Sequence, residues 1–246
     1  MKSYLSLAAI AAALALSGCG KKDDGTAAPA SVGPITAVAA PAGTSWSETV
    51  KETGDGGYLM GNPDAKVKIA EYGSYSCSHC RDFSAESAEP LKKLVDTGKV
   101  AYEYHNFVRD PLDMSMVLLA RCGGKDPFFP LSEQLFGYQA TLFEKVQSMG
   151  DGAYQAAMAA PANQRFIMLA NATGLIDFIK ARGISEDQAK QCLADGAKAE
   201  EIAKTVQADQ AKYNIEGTPT ILINGSVLQN VTTWDSLSEK LKEMGV

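Results

Sequence analysis

Residues 75–83 read Tyr-Ser-Cys-Ser-His-Cys-Arg-Asp-Phe, with His79 lying between Cys77 and Cys80. Such a pair is half of a zinc site, a haem attachment, a structural staple or a redox couple, and its setting decides among them. Upstream, Val-Lys-Ile-Ala-Glu-Tyr (67–72) carries Val67, Ile69 and the β-favouring Tyr72, a strand pattern that Gly73-Ser74 ends. Downstream, the chain from Cys80 to Val95 has helical spacing, with Pro90 expected to kink it. Val-Ala-Tyr-Glu-Tyr-His-Asn-Phe (100–107) alternates as a second strand. The pair therefore stands at the start of a helix that links two strands.

The flanking segments extend this pattern. Between Glu48 and Met60, Gly-Asp-Gly-Gly separates two short segments that read as a strand and turn. From Asp113 to about Lys212 the spacing is helical, punctuated by Gly, Pro and Asn. Within it, Phe128-Phe129 reads as core or helix-start packing. Thr-Ile-Leu-Ile (220–223) is a strand, and Asn224-Gly225 is a strong two-residue hairpin signal before the partner Ser-Val-Leu-Gln-Asn. An amphipathic helix capped near Thr233 or Asp235 closes the chain. The expected class is α/β, in the order β-α-β, helical block, β-β-α.

The chemistry of the pair follows from what surrounds it. A structural zinc site takes four ligands, usually as two close pairs. Beyond Cys77 and Cys80 the folded part offers Cys122, Cys192, His79 and His105, with no second C-x-x-C. Covalent haem needs C-x-x-C-H, and residue 81 is Arg81. An inert staple across so short a loop restricts the unfolded chain little. A cysteine at a helix start faces unpaired N–H groups and the positive end of the helix dipole, which favour thiolate. This makes Cys77 the expected exposed nucleophile and Cys80 the resolving thiol, with His79 adding charge or a donor. A stabilised thiolate makes the disulfide a stronger oxidant. His105, on an alternating strand, reads as a satisfied or exposed strand residue rather than a catalytic one.

The run Glu-Tyr-Gly-Ser-Tyr-Ser-Cys-Ser-His-Cys-Arg-Asp-Phe, followed by Gly-Thr-Pro-Thr and Ile-Leu-Ile-Asn-Gly, resembles the thioredoxin superfamily and within it the DsbA-type thiol:disulfide oxidoreductases. The resemblance runs from about Gly61 to the C-terminus. It implies a thioredoxin-like fold with a large inserted helical subdomain at about 112–212. It implies that Thr218-Pro219 is the cis-proline loop, with the Thr218 backbone pairing to a substrate strand. Glu71 matches the buried acid that moves protons to and from Cys80; a strand-end Glu pointing to solvent is the alternative. No cofactor is implied. Motifs of this type commonly read Cys-Pro-His-Cys, and Ser78 here replaces the proline, which leaves the potential open. Relatives also carry a structural disulfide in the helical block. Cys122–Cys192 fits that role, closing a long loop worth roughly 4 kcal/mol in the ideal entropy model, with two buried thiols as the alternative.

The N-terminus and the composition bound the setting. A net charge of −6 with scattered basic residues gives no nucleic-acid footprint. Residues 1–18 read as a signal peptide, and Leu-Ser-Gly-Cys (16–19) resembles the bacterial lipobox, making Cys19 the expected acylation site. A plain cleaved signal and a soluble periplasmic protein is the alternative. Residues 19–46 read as a lipid-bearing tether, rich in Ala, Pro and Gly, ahead of a domain over 47–246. Gly20 after the cysteine hints at the outer membrane. The expected protein is an exported monomer that oxidises cysteines of folding envelope proteins. A quinone-linked membrane partner of the DsbB type would reoxidise it. A reductase or isomerase is the first alternative, because threonine precedes the cis-proline in those relatives too. A dithiol metal-binding protein is the second.

Overall fold

The computed structural model describes residues 35–246. The signal peptide, Cys19 and most of the expected tether lie outside the described residues.

Six strands form one sheet: β1 (Val50–Glu52), β2 (Tyr58–Gly61), β3 (Val67–Gly73), β4 (Val100–Asn106), β5 (Thr220–Ile223) and β6 (Ser226–Val227), in the spatial order β1-β2-β4-β3-β5-β6. The central β3 pairs parallel with β4 and antiparallel with β5. Its first residues alternate between buried Val67 and Ile69 and exposed Lys68, and its last three are buried, as a central strand requires. The parallel β3–β4 pair needs a crossover, and α1 (Ser78–Asp96) supplies it. One stripe of α1 faces the core, formed by Cys80, Phe83, Ser87, Leu91 and Val95. Pro90 lies inside α1 without ending it. Its missing N–H leaves unpaired the carbonyl of Glu86, one turn back on the exposed side. At the far edge, Asn224 (φ 50°) and Gly225 (φ 81°) form the tight turn between β5 and β6. Strand β6 is shorter than the sequence suggests.

Six helices fill the chain between β4 and β5: α2 (Pro111–Cys122), α3 (Phe128–Ala159), α4 (Ala162–Ala172), α5 (Leu175–Lys180), α6 (Glu186–Ala194) and α7 (Gly196–Tyr213). Helix α2 starts with Asp110 as its cap and Pro111 at its first position, where a missing N–H costs nothing. Helix α3 is two segments joined at Gly150, whose φ of 75° breaks the helix. Cys122 on α2 and Cys192 on α6 are joined by a disulfide, S–S 2.04 Å. Phe128 is fully buried and stacks on Tyr58 of β2, ring centroids 3.7 Å apart. A single hydrophobic cluster contains Val67, Cys80 and Phe83 together with Leu119, Leu135 and Leu169, so sheet and helical block share one core. Helix α8 (Trp234–Glu243) closes the chain, with Thr233 and Ser236 forming a reciprocal capping box.

The end of the expected tether is docked rather than free. Residues 35–46 lie on the domain: Ile35 and Trp46 pack against the core. The Val38 N–H donates to the Thr97 carbonyl at 3.0 Å, and Trp46 Nε1 donates to the Val38 carbonyl at 2.7 Å. Gly98 permits this approach, since a Cβ there would fall 2.1 Å from the Val38 oxygen. An Ala-, Pro- and Gly-rich composition reads as a linker, but two apolar side chains suffice to dock it.

Candidate active site

Strand register assembles the site. Tyr72 of β3 is opposite Thr220 of β5, so the chain leaving β3 and the chain entering β5 emerge at the same end of the sheet. Gly73 is opposite Asn106, which brings the segment after β4 to that end as well. The loop 74–77, the start of α1, Thr218-Pro219 and the cap of α2 therefore converge at the carboxyl ends of the parallel strands, where α/β sheets place their sites.

Cys77 is the N-cap of α1, with extended backbone (φ −95°, ψ 121°). The Thr218-Pro219 bond is cis, and the Cys77 thiol donates to the Thr218 carbonyl across 3.2 Å. The two cysteines differ sharply. Cys77 is pulled down to about 5, chiefly by the hydrogen bond from the Cys80 thiol, against the opposing effect of burial. The Thr218 side chain and the backbone N–H groups of Cys80 and His79 help. Cys77 Sγ makes no close capping bond, so these N–H groups act at longer range. The Thr218 carbonyl, an acceptor, favours the thiol, and the several donors outweigh it. Cys80 is fully buried, and burial pushes its thiol far up, reinforced by its bond to Cys77 and the nearby Glu71 charge.

Cys77 is only 5% exposed, not the open nucleophile the motif suggests. Its surroundings explain this: the Thr218 loop lies against it, and its own backbone carbonyl is tied to the helical block through Gln139. It still lines an open cleft with His79, Phe107, Arg109, Phe143 and Thr218. His79 is exposed. Its backbone N–H, rather than its ring, is what favours the Cys77 thiolate.

Glu71 is 1% exposed on β3, not turned to solvent. Burial raises its carboxyl to about 8, opposed by a 2.5 Å hydrogen bond from the Tyr102 hydroxyl and reinforced by the Cys77 charge. Its Oε1 and the Tyr104 hydroxyl have no hydrogen-bond partner among the described residues. Both flank Gly73, where a Cβ would lie 2.8 Å from Oε1 and 2.7 Å from the hydroxyl.

His105 keeps other company. Its Nε2 is 3.1 Å from Glu103 Oε1, its Nδ1 4.0 Å from Asp209 Oδ2, and its ring stacks on Tyr72. Asp55, Glu103 and His105 are the one group of metal-ligand type among the described residues; Nε2 of His105 faces Glu103, and its buried Nδ1 has no hydrogen-bond partner among them.

Sequence reasoning missed Asp113 and Gln139. Both are fully buried and bond the loop 74–77. Burial raises the Asp113 carboxyl to about 7 against the pull of the Ser74 hydroxyl and the Arg109 and Tyr75 N–H groups. Asp113 reads in sequence as an ordinary first-turn acid, and Gln139 as a polar position on a long helix. The dipeptide Asp110-Pro111 marks the cap but not the buried acid behind it.

Residues 53–243 match a family model described as thioredoxin. A putative protein-disulfide oxidoreductase of Rickettsia bellii is 25% identical over 173 residues, 70% of this chain and 58% of that protein. The chain thus spans less than two thirds of that relative's length. Disulfide bond formation protein D of Bacillus subtilis is 24% identical, over 75% of each chain. Among solved structures, a protein-disulfide isomerase from Novosphingobium aromaticivorans aligns with TM-score 0.74 and 32% identity, covering 77% of this chain and 98% of that one. Wolbachia pipientis alpha-DsbA1 shares the fold at TM-score 0.60 and 19% identity, covering 76% and 89% of the two chains. The chain belongs to the thioredoxin family.

Proposed function

We propose that this chain catalyses thiol–disulfide exchange and donates the Cys77–Cys80 disulfide to reduced cysteines of exported proteins. The asymmetry of the pair carries the reading: Cys77 is held as thiolate at a helix start beside Thr218, while Cys80 is buried and kept as thiol. Stabilising the reduced form raises the oxidising power of the disulfide.

In the proposed cycle a substrate thiolate attacks Cys77 Sγ. The Cys77–Cys80 bond breaks, and Cys80 leaves with its electron pair and takes up a proton. Glu71, still largely protonated at neutral pH, is the group placed to supply it. A second substrate thiolate then attacks the substrate sulfur of the mixed disulfide. Cys77 leaves as the thiolate its surroundings favour. The substrate gains a disulfide, and the pair is left reduced. The Thr218 main chain pairs with the substrate segment, and His79 lines the cleft through which it arrives. A quinone-linked membrane protein of the DsbB type takes the electrons. Acyl chains on Cys19 keep the chain in the periplasm beside a membrane.

Isomerisation is the second reading, supported by the name of the Novosphingobium structure at 32% identity. One experiment separates the two. The chain is equilibrated in graded glutathione buffers and the Cys77–Cys80 state read by thiol trapping, alongside reactivation of a scrambled disulfide protein. A potential near the DsbA end of the scale, about −120 mV, with weak reactivation supports the oxidase. A potential near that of protein disulfide isomerase, about −180 mV, with strong reactivation supports the isomerase. A potential near that of thioredoxin, about −270 mV, rules out disulfide donation.

A further inference from the structure

Two buried polar side chains of the helical block grip the loop that carries Cys77. Asp113, in the first turn of α2, accepts through Oδ2 from the Ser74 hydroxyl at 2.6 Å and the Arg109 N–H at 3.0 Å. Its Oδ1 accepts from the Tyr75 N–H at 3.0 Å. Gln139, on α3, donates through Nε2 to the Tyr75 carbonyl at 2.7 Å and the Cys77 carbonyl at 2.9 Å. Tyr75 is thus held at its N–H by α2 and at its carbonyl by α3. Its hydroxyl shares a third bond with Ser132 of α3 at 2.6 Å.

Such groups are costly to bury. Gln139 is fully buried and its Oε1 has no partner among the described residues, a penalty offset only by the two bonds of its nitrogen. A methionine or leucine would fill the space without that penalty. What the amide adds is a fixed position for the Tyr75 and Cys77 carbonyls. The backbone so fixed is the one that places Cys77 Sγ at the start of α1, 3.2 Å from the Thr218 carbonyl.

We propose that Gln139 and Asp113 are positioning residues for the Cys77 thiol, clamping the loop 74–77 from two helices so that Sγ keeps its place between the start of α1 and Thr218. The inference rests on the redox reading of the pair. It makes the helical block a determinant of the chemistry at Cys77 rather than only a cover over the sheet.

The test is Gln139→Met, which removes both donors at similar volume and unchanged charge. Two readouts are followed in the whole chain: the ultraviolet titration of the Cys77 thiolate and the equilibrium with glutathione. The expected result is a thiol midpoint raised by about one pH unit, that is, tenfold less thiolate at a given low pH. The disulfide becomes about tenfold less oxidising, about 30 mV for this two-electron couple. Should Gln139→Met not fold, Ser74→Ala, which removes one donor from Asp113, is read the same way, with about a threefold shift expected. A variant that melts earlier in both redox states but titrates and equilibrates as the wild type overturns the proposal. A wild-type chain that does not equilibrate with glutathione overturns the redox reading itself, and the clamp's purpose with it.

Discussion

Cys77 Sγ and the Thr218 carbonyl oxygen meet at 3.2 Å although 141 residues separate them in the chain. The pairing of Tyr72 with Thr220 creates the contact: Cys77 lies five residues after Tyr72 and Thr218 two before Thr220, so both loops leave the sheet at the same end. It places Cys77, rather than Cys80, on the cleft. Cys77→Ser is expected to reduce exchange with a dithiol peptide to background. Cys80→Ser is expected to keep the attack and to accumulate mixed disulfides through Cys77, visible by non-reducing electrophoresis. Adducts forming on Cys80 in a Cys77→Ser chain would reverse the assignment.

The Cys77 shift makes the reduced protein's stability pH-dependent. The folded thiol is pulled down to about 5 from the ordinary value of 9.0. The unfolded chain therefore binds more protons between these values, and stability rises with pH across that window. This contribution is largest near pH 9 and is lost as pH falls through about 5. The oxidised protein lacks it. Thermal melts of the two forms should draw together by about two thirds of this amount as pH falls from 8 to 5. A constant separation across that range would contradict the thiolate assignment.

Glu71 acts in the opposite sense. Its folded value of about 8 exceeds the ordinary value of 4.5, so its contribution is fully present below pH 4.5 and is lost as pH rises through 8. Glu71→Gln, which cannot ionise, is expected to gain stability relative to the wild type on going from pH 5 to pH 8, measured by denaturant midpoints. The same variant should slow the redox steps that require a proton at Cys80 by about 100-fold, the lower range for general acid–base catalysis. A wild-type rate in stopped-flow oxidation of a reduced peptide would remove Glu71 from the mechanism.

The disulfide between α2 and α6 closes a loop of sequence separation 70. The double variant Cys122→Ala with Cys192→Ala is expected to lose about 2–4 kcal/mol of stability. Glutathione equilibration of Cys77–Cys80 should stay at its wild-type value. A changed potential would make the second pair part of the redox machinery.

Much of this architecture is legible in the chain because it is periodic. Val67, Ile69 and Tyr72 announce β3, the stripe from Cys80 to Val95 announces α1, and Asn224-Gly225 fixes the final turn. The cysteine pair, read with Thr218-Pro219, points to the family. What is not legible is polar burial. Asp113 and Gln139 sit at helical positions where Asp and Gln usually meet water, and only the arrival of the loop 74–77 from β3 turns them inward. The cover over Cys77 is hidden for the same reason, since it comes from Thr218 and from residues far along the chain. Docking of residues 35–46 is masked by their composition, although Trp46 is the anchor.

The placement of β5 has a consequence for synthesis. A chain made from its N-terminus presents Cys77 and Cys80, then Cys122 and Cys192, before Thr218 exists. The β5 strand that completes the site enters the sheet last but for the β6–α8 end. Until then four thiols are exposed with no finished catalyst on the same molecule, so the newborn chain is itself a client for disulfide chemistry. On the proposed function, a mature copy of the same protein would be the donor it needs.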